Sequence, residues 1–389
     1  MKGYGGEASA LIIGFSVNGW NVYRSLRREG IHVTAIDDDR NSIFWSARGV
    51  ELHQADCLRG DELMRSIRRI ANPQRQYIFV SAVEDAVRTV SERRSELPAN
   101  VIHRLPDHAT VNLLLDKRLF YGAAVKMGHL MSRMYFLETW NDLPPQTEIR
   151  FPCILKGRTK IYAQGLAKAY RIDSFDNLRE TVNHISKIPG LSSQDFVIQE
   201  WVPGPDSNVV FCMQYYDTTG SLKSSFVGRK IRQWRPQIGG TSSAEPIEDQ
   251  EALEETTRFF RSIGMRGICS MEFKRSNEDG KLYMIEPTAC RADYQEGVAV
   301  ANGCNLPLMA YLDTGANGGG TNLFSRRVKW IHMGEDRASA AQYVSRGELS
   351  WWGWWRSIRG PRSYAIFAPE NPWPFLEMVR RRLVSRLWP

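Results

Sequence analysis

The 389-residue sequence has few of the residues that build the simplest catalytic and metal centres. Its six cysteines are scattered and never spaced as CxxC, and its seven histidines are equally dispersed. This pattern predicts reduced thiols, and it argues against a disulfide framework, a Cys/His zinc site or a nucleophile with an adjacent base. Any metal is therefore expected to be held by oxygen ligands.

Long apolar runs are also absent. No stretch approaches the roughly 18 uninterrupted apolar residues that a spanning helix needs, and no N-terminal segment joins a basic start to an apolar core and a cleavage site. The composition, 42% hydrophobic and 24% charged, is typical of a globular protein. We expect two or three domains in a cytoplasmic protein that could also meet a membrane surface peripherally.

Positive charge is in excess and is concentrated near the C-terminal end. The formal net charge is +8, and residues 351–389 hold seven arginines against two glutamates, a local balance of +5. Such an excess is typical of contact with nucleic acid, an anionic membrane surface or polyanionic small molecules. The charge alone does not choose between them.

The N-terminal stretch "SALIIGFSVNGWNVYRSLRREGIHVTAIDDD" predicts a βαβ unit. A buried strand over residues 11–13 leads through a glycine turn into a helix closed by Gly30, and a second strand ends in acids. Another apolar strand at residues 77–80 runs into a helix. Residues 1–105 are therefore predicted to form a small parallel-sheet domain.

The glycine turn raises the alternative of an NAD-dependent enzyme, with Asp37 or Asp38 on the ribose. However, "GFSVNG" contains only Gly14 and Gly19, so the GxGxxG pattern of dinucleotide sites is missing. The simpler interpretation is a structural turn glycine beside surface acids.

Two lysines stand at the ends of predicted elements in the central region. Lys117 opens a helix capped by Asp116, and Lys156 ends the strand in "FPCILKG", positions from which a long cationic side chain can reach a phosphate. The segment "QEWVPGPD" then supplies a strand edge and a tight turn. Backbone groups there can meet adenine, and Asp206 can accept hydrogen bonds from ribose hydroxyls.

The stretch "SMEFKRSNEDGKLYMIEPTACRADY" places one glutamate on each strand of a predicted hairpin. If "RSNEDG" is the turn and Glu272 faces Met284, Glu286 is its diagonal neighbour on the same face, with alpha carbons ~7–8 Å apart. One magnesium ion would then contact both, since one or two carboxylates suffice when ATP supplies other oxygens. The alternative, for each residue alone, is a solvated or salt-bridged carboxylate.

Together these segments resemble the ATP-grasp superfamily, specifically its carboxylate-amine ligases. The matching segments occur in the family's order: "LDKRLFY", "FPCILKG", "IQEWVPGPD", "GRKIRQWRPQIGG", "GMRGICSMEFK" and "YMIEPTACRADYQEGVAVANGCNLPL". The resemblance implies an α/β protein with an N-terminal parallel-sheet preATP-grasp domain and a two-subdomain ATP-grasp α+β fold over 106–313. Its lid would span about 135–205 and its metal-binding sheet about 206–313, before a Trp/Arg-rich C-terminal extension over 314–389.

The resemblance also implies a role for each matched residue. Lys117 and Lys156 would contact ATP phosphates and adenine, Glu200 and the backbone of Val202 would read adenine, and Asp206 would hold ribose. The metal ligands for magnesium, or manganese in its place, would be Glu272, Glu286 and Thr288. A glycine-rich lid loop is expected at "GRTKIYAQGLAK", residues 157–168, with an ordinary β-hairpin as the alternative.

Members of the family phosphorylate a substrate carboxylate with ATP and let an amine displace phosphate from the acyl phosphate. The resemblance thus implies an ADP-forming ligase acting on a small-molecule carboxylate and amine, and also a homodimer. Arg266, Lys230 and Arg291 are expected to stabilise the acyl phosphate or the tetrahedral oxyanion.

One departure keeps a second class of function open. Much of the superfamily has Glu-x-Asn where this sequence reads Glu286-Pro287-Thr288, so the third ligand would be a hydroxyl, a weaker magnesium ligand. The alternative is a non-catalytic ATP-binding or membrane-recruited assembly protein that keeps the fold without turnover.

The C-terminal end holds six of the twelve tryptophans beside its seven arginines. Leu376, Val379, Leu383 and Leu387 fall at helical spacing, with the arginines mainly off that stripe. Such a helix either lies on an anionic membrane and meets a lipid-linked substrate, or docks its apolar stripe on its own protein. We expect no nucleic-acid partner, because the rest of the chain shows no nucleic-acid fold.

Overall fold

The computed structural model describes residues 8–313 and 327–387. Its N-terminal part is a five-stranded parallel sheet of order β3-β2-β1-β4-β5. The strands are β1 Ala8–Ile13, β2 His32–Asp37, β3 Glu51–Gln54, β4 Gln76–Ser81 and β5 Val101–Ile102. Helices α1 Val17–Arg28, α2 Gly60–Ile70 and α3 Glu84–Glu92 connect them. The predicted βαβ opening is confirmed, including the turn at Gly30, whose φ is +79°.

A four-stranded antiparallel sheet of order β6-β9-β7-β8 forms the lid. Its elements are β6 Met134–Phe136, β7 Cys153–Gly157, β8 Ala169–Ile172, α6 Phe175–Ile185 and β9 Phe196–Glu200. The lid has its own hydrophobic core, built around Leu155, Leu178 and Ile198. Two helices, α4 His108–Leu115 and α5 Lys117–Lys126, lead into it, and Asp116 caps α5 through the amides of Arg118 and Leu119.

A seven-stranded sheet of order β14-β13-β10-β11-β12-β15-β16 forms the centre of the molecule. Its first five strands in the chain are β10 Val209–Tyr216, β11 Leu222–Trp234, β12 Gly240–Pro246, β13 Gly267–Arg275 and β14 Leu282–Ala289. Helices α7 Gln250–Ser262, α8 Glu296–Ala301 and α9 Leu306–Leu312 accompany them. Two hydrophobic cores join this sheet and the N-terminal sheet, whereas the lid has a separate core among the described residues.

The residues predicted as a C-terminal extension are built into this sheet. Strands β15 Lys329–Ile331 and β16 Arg362–Tyr364 extend it beyond β12, and Trp330 on β15 is fully buried. The remaining helices are α10 Met333–Ser345, α11 Trp351–Ser357 and α12 Trp373–Leu387. The joint predicted at residues 314–322 lies outside the described residues.

The register predicted for the glutamate hairpin is wrong, because the hairpin contains a β-bulge. Met284 pairs with Phe273, and Glu286 lies directly opposite Glu272, because Ile285 is an extra residue on β14. Met284 and Phe273 belong to the hydrophobic core. Without the bulge, Glu286 would share the core-facing side of Met284, whereas the extra residue turns it to the Glu272 side.

Among the described residues, no helix combines the length and apolar character needed to cross a bilayer. The six cysteines are free in this structure, and five of them are buried.

Gly297 in α8 provides a test of the packing between α8 and β15. A Cβ atom at this position would lie 2.4 Å from Trp330 Nε1 and 2.5 Å from its Cδ1. Because the buried indole has no room to move, Gly297→Ala should destabilise the fold by about 1–3 kcal/mol in urea denaturation.

The matched control is Gly122 in α5, where a Cβ would meet nothing within 4 Å. Gly122→Ala should stabilise by up to about 1 kcal/mol through helix propensity alone. Equal effects of the two substitutions would contradict the packing described for α8.

Candidate functional site

A cleft between the lid sheet and the central sheet is lined by four of the predicted site residues, Lys156, Glu200, Val202 and Glu272, and Glu286 follows the lining residue Ile285. Strands β7 and β9 form its upper wall, and β10, β11, β13 and β14 form its floor. The lining residues are Ile154, Lys156, Gln199, Glu200, Trp201, Val202, Val209, Gln233, Gln237, Glu272, Lys274 and Ile285.

The floor of this cleft presents two carboxylates side by side. Glu272 and Glu286 are direct partners across β13 and β14, so their Cβ atoms are about 4.5–5.5 Å apart. Their side chains are 21% and 42% exposed. Direct opposition brings the carboxylates closer than the predicted diagonal arrangement would.

Lysines from both sheets compensate this negative charge. Lys230 Nζ on β11 lies 2.7 Å from a Glu272 oxygen, and Lys156 Nζ on β7 lies 3.6 Å from a Glu286 oxygen. Burial pushes the pKa of the Glu286 carboxyl upward, but four lysines outweigh burial and hold that pKa well below its usual range. The four are Lys156, Lys117, Lys168 and Lys230.

Two of the cleft lysines have pKa values below the usual range of lysine. Burial lowers the pKa of Lys156 to about 8, against the opposing effect of Glu286. Burial also lowers the pKa of Lys274 to about 8, against the nearby Asp206. The Lys274 ammonium lies 4.5 Å from the centre of the Trp201 ring. An anionic ligand would favour the charged form of both.

The two glutamates suit a hard divalent cation that takes its other ligands from a phosphate-bearing substrate. Within residues 8–313 and 327–387, no group of three or more His, Cys, Asp and Glu side chains is placed to hold a metal alone. The predicted third ligand, Thr288, is close enough to Asp293 to lower the pKa of that carboxyl, which burial otherwise raises. The directly paired glutamates are the metal-binding element that the geometry favours.

Asp206 does not present the free carboxylate predicted for ribose. It is 3% exposed and accepts four hydrogen bonds from protein groups. The donors are Gln233 N at 3.0 Å, Gln233 Nε2 at 3.0 Å, Gln237 N at 3.1 Å and Tyr343 Oη at 2.6 Å. Asp206 thus holds the end of β11 in place instead of facing the cleft.

These contacts form a chain from the C-terminal region to the floor of the cleft. Tyr343 on α10 holds Asp206, which holds Gln233. The Gln233 amide oxygen accepts from Lys230 Nζ at 3.0 Å, and the same ammonium pairs with Glu272. Lys230, predicted as a free catalytic cation, therefore positions a carboxylate in this structure.

The predicted adenine-reading residues lie at the cleft wall. Val202 is 6% exposed, and the Glu200 carboxylate accepts from Tyr135 Oη at 3.1 Å. Burial and Glu200 raise the pKa of Tyr135 to about 12, so the phenol stays a donor. Lys117, at the start of α5, is close enough to Lys156 and Glu286 to influence the pKa of each.

Arg266 is not brought to the site. It precedes β13, where Gly267 pairs with Tyr216, while Glu272 pairs with Phe211 five residues along. At about 3.4 Å per residue, the two ends are roughly 17 Å apart, and Arg266 is exposed beside Asp107. The position of Arg266 does not support the catalytic role predicted for it.

Arg291 lies where the central sheet meets the N-terminal sheet. It forms a parallel bridge with Ser81 at the end of β4, and the Ala292 amide donates to the Ser81 carbonyl at 2.9 Å. The guanidinium is close enough to Asp293 to lower the pKa of that buried carboxyl, which burial otherwise raises. A cation is thus held where the two sheets meet.

The predicted lid loop joins β7 to β8 as an irregular connection over residues 158–168. Arg158 pairs with Asp116 at 2.6 Å, Lys160 pairs with Asp85 at 2.9 Å, and Tyr162 donates to Asp85. Because Asp85 belongs to α3, the loop reaches from the lid to the N-terminal sheet.

The glycine turn after β1 does not offer a dinucleotide site. Asp37 is 5% exposed and accepts from the backbone amides of Phe15 and Asp39. A carboxylate engaged in this way is not free to bind ribose.

Sequence reasoning missed three residues of the site. Lys274 had a usable signal, since alternation on β13 puts it on the face of Glu272. Gln233 lay in a quoted segment without a role. Tyr343 had no local signal, because it reaches Asp206 from 137 residues further along the chain.

Known proteins resemble this chain over part of its sequence and over most of its fold. No family model matches the sequence. The D-aspartate ligase of Enterococcus faecium (strain Aus0004) is 20% identical over 252 residues, which are 61% of this chain and 58% of that relative. The match thus spans little more than half of the length of that curated protein.

Solved structures agree over more of the chain. The ADP complex of N5-carboxyaminoimidazole ribonucleotide synthetase superposes with a TM-score of 0.66 at 15% identity, covering 87% of this chain and 85% of that one. The L-amino acid ligase from Bacillus licheniformis superposes with a TM-score of 0.60 at 15% identity, covering 79% and 74%. These likenesses confirm the predicted fold.

The hydrogen bond from Tyr343 to Asp206 should contribute to the free energy of unfolding. Tyr343→Phe removes one of four donors to a buried carboxylate, so we expect a loss of about 1.5–3 kcal/mol in urea denaturation. Tyr283→Phe is the matched control, because Tyr283 makes the same kind of bond to Asp279 at an exposed turn. The control should lose less than about 0.5 kcal/mol. A Tyr343 variant as stable as wild type would contradict the anchoring role.

Proposed function

We propose that this chain, which has the ATP-grasp fold of the structures above, is an ATP-dependent ligase that joins a carboxylate to an amine. The observation that carries the proposal is the pairing of Glu272 with Glu286 under lysines from two sheets, inside the cleft between lid and central sheet. Such a cleft can hold a triphosphate and a metal together. The names of the D-aspartate ligase and the L-amino acid ligase support an amino acid as one substrate.

In this proposal the two walls of the cleft share the nucleotide. The edge of β9 at Glu200 and Val202 faces the base, and Lys156 and Lys117 face the phosphates. Asp206 is assigned to positioning, because its oxygens are already bonded within the protein. Lys274 and Trp201 complete the wall nearest to Asp206.

Glu272 and Glu286 would hold magnesium, which supplies neutralisation of the charge that develops on the transferred phosphoryl group. The protein's part is to place the carboxylates on two rigid neighbouring strands and to keep them ionised. The lysine pairs do this before ligand arrives, since they hold the pKa of Glu286 well below its usual range. On ligand binding, Lys156 can turn from Glu286 to a phosphate.

The proposed reaction has two steps. A substrate carboxylate oxygen bonds to the γ-phosphorus as the bond from that phosphorus to ADP breaks, which gives an acyl phosphate and ADP. The amine nitrogen then bonds to the acyl carbon as phosphate leaves, and the nitrogen loses a proton. In this proposal Arg291 is assigned to the acyl phosphate, and its position where the two sheets meet supports that assignment.

The experiment that tests the proposal measures ADP release from ATP with a panel of D- and L-amino acids, alone and in pairs. We expect release that requires both a carboxylate and an amine, with a new amide product detected by mass spectrometry. Glu272→Gln and Glu286→Gln should each lower the rate roughly 100-fold or more. Glu278→Gln, in the turn of the same hairpin, should leave it unchanged.

Calorimetry separates the ligase from a non-catalytic nucleotide-binding protein. If ATP binds tightly with magnesium but no acceptor produces ADP, the binding protein is the better description. If magnesium fails to strengthen ATP binding, or the glutamate variants bind ATP as the wild type does, the proposed site is wrong.

The pKa of Lys156 gives a pH dependence with a defined sign. Since that pKa is about 8, raising the pH removes a positive charge that phosphates favour, and ADP affinity should fall by up to about tenfold from pH 7 to pH 9. Lys156→Arg stays charged over this range and should flatten the dependence. A dependence that persists in Lys156→Arg but disappears in Lys274→Arg would assign the phosphate contact to Lys274 instead.

A further inference from the structure

The C-terminal region exposes large apolar side chains on neighbouring helices. On α11, Trp351, Trp352 and Trp355 are 47%, 62% and 40% exposed. On α12, Leu376 and Leu383 are 47% and 54% exposed, although Trp20 and Trp330 are fully buried elsewhere in the protein. The interpretation of α12 as a helix docked through this stripe is therefore wrong for the two leucines.

Both helices contact the first turn of α10. Trp354 Nε1 on α11 donates to Asp336 on α10 at 2.7 Å. Arg382 on α12 approaches Gly334 on α10, with its Nη2 3.5 Å from where a Cβ would be. Met333, at the start of α10, is also exposed. We call the exposed side chains of α11, α12 and Met333 the Trp/Arg surface.

Arginine side chains lie on the same helices as these apolar groups. Between Leu349 and Pro369 the sequence has three arginines and no acidic residue, and α12 carries four arginines against Glu377. Arg356, Arg380, Arg381 and Arg382 are exposed. Arg359 covers the ring of Trp355 at 4.4 Å, so cation and aromatic groups are interleaved.

The underside of α12 is fixed to the N-terminal part of the protein. Arg48 lies 3.5 Å from the centre of the Trp373 ring, and Arg381 donates to the Asn41 carbonyl. The buried Arg232–Asp336 pair, at 2.7 Å, anchors α10, and Arg232 also donates to Ser357 Oγ at the end of α11. The outward side chains are thus displayed on a rigid base.

The chemistry of the Trp/Arg surface selects among partners. A second copy of the same surface would bring arginine against arginine. Nucleic acid would use the tryptophan rings, but Trp352 and Trp355 stack on each other at 4.7 Å, and the leucine stripe offers nothing for a base to stack on. An anionic bilayer satisfies both parts, because phosphates pair with arginine while Trp and Leu enter the interface.

We propose that the Trp/Arg surface binds the surface of a membrane containing anionic lipids, with α11 and α12 lying in the plane of the headgroups. The chain is then a peripheral protein whose contact with lipid is electrostatic and apolar together. This contact is independent of the reaction proposed above.

Helix α10 connects the Trp/Arg surface to the residues that support the cleft, because it begins at Met333 and carries Tyr343 to Asp206 ten residues later, about 15 Å along the helix at 1.5 Å per residue.

The test is co-sedimentation of the full chain with vesicles of phosphatidylcholine alone or mixed with phosphatidylglycerol. We expect binding to the anionic vesicles only, weakened by high salt. Arg380→Gln and Arg382→Gln should each lower the partition coefficient about fivefold. Trp351→Ser with Trp352→Ser should lower it by at least about tenfold.

Matched controls carry similar exposure elsewhere on the molecule. Arg65→Gln, on α2, and Leu119→Ser, on α5, should bind vesicles as the wild type does. Because Leu383→Ser alters one exposed side chain, it tests the apolar contribution even if the tryptophan pair fails to fold.

Several outcomes would overturn the proposal. These are equal binding to neutral and anionic vesicles, no binding to either, or variants of the Trp/Arg surface that bind as the controls do. Displacement of the protein from vesicles by a single-stranded oligonucleotide at low concentration would point to nucleic acid. Light scattering that shows a dimer lost in Leu383→Ser would point to a second copy.

Discussion

The close pairing of two carboxylates on one sheet face is the constraint from which the site is built. Glu272 and Glu286 repel each other at the separation of direct β-partners, and partial burial makes that repulsion stronger. The two carboxylates can stay ionised at this separation only if cations lie close to them. Lys230 comes from the adjacent part of the central sheet, and Lys156 comes from the lid.

The need for a cation from each sheet is consistent with the position of the lid opposite the central sheet. The lid has its own hydrophobic core and does not depend on the central sheet for burial. An ion pair between Lys156 and Glu286 links its β7 strand to the hairpin. The loop after β7 is tied to α3 by Lys160 and Asp85, and to the cap of α5 by Arg158 and Asp116. A polyanionic ligand with its own metal could replace these ion pairs without leaving an uncompensated charge. The cleft thus already holds, in its lysine and glutamate pairs, the charges that such a ligand would meet.

The C-terminal region supports the residues that form the floor of the cleft. Trp330 completes the core beside α8, and α10 supplies Tyr343 to the buried Asp206. Through Gln233 and Lys230 this support reaches Glu272. The same region turns Trp351, Trp352 and Trp355 outward together with several arginines, so one segment has an inner face that the fold needs and an outer face that the fold does not use.

The sequence by itself determined the order of elements, the fold class and the identities of the two glutamates and the two lysines, because local periodicity and short motifs encode them. It did not determine the hairpin register, since Ile285 is an ordinary strand residue until packing selects Met284 for the core and forces the bulge. Nor did it show that Asp206 is bonded within the protein, that Lys230 positions Glu272, or that Arg266 lies at the far end of its strand. Each of these depends on partners distant in sequence, and only the tertiary structure decides which distant groups meet.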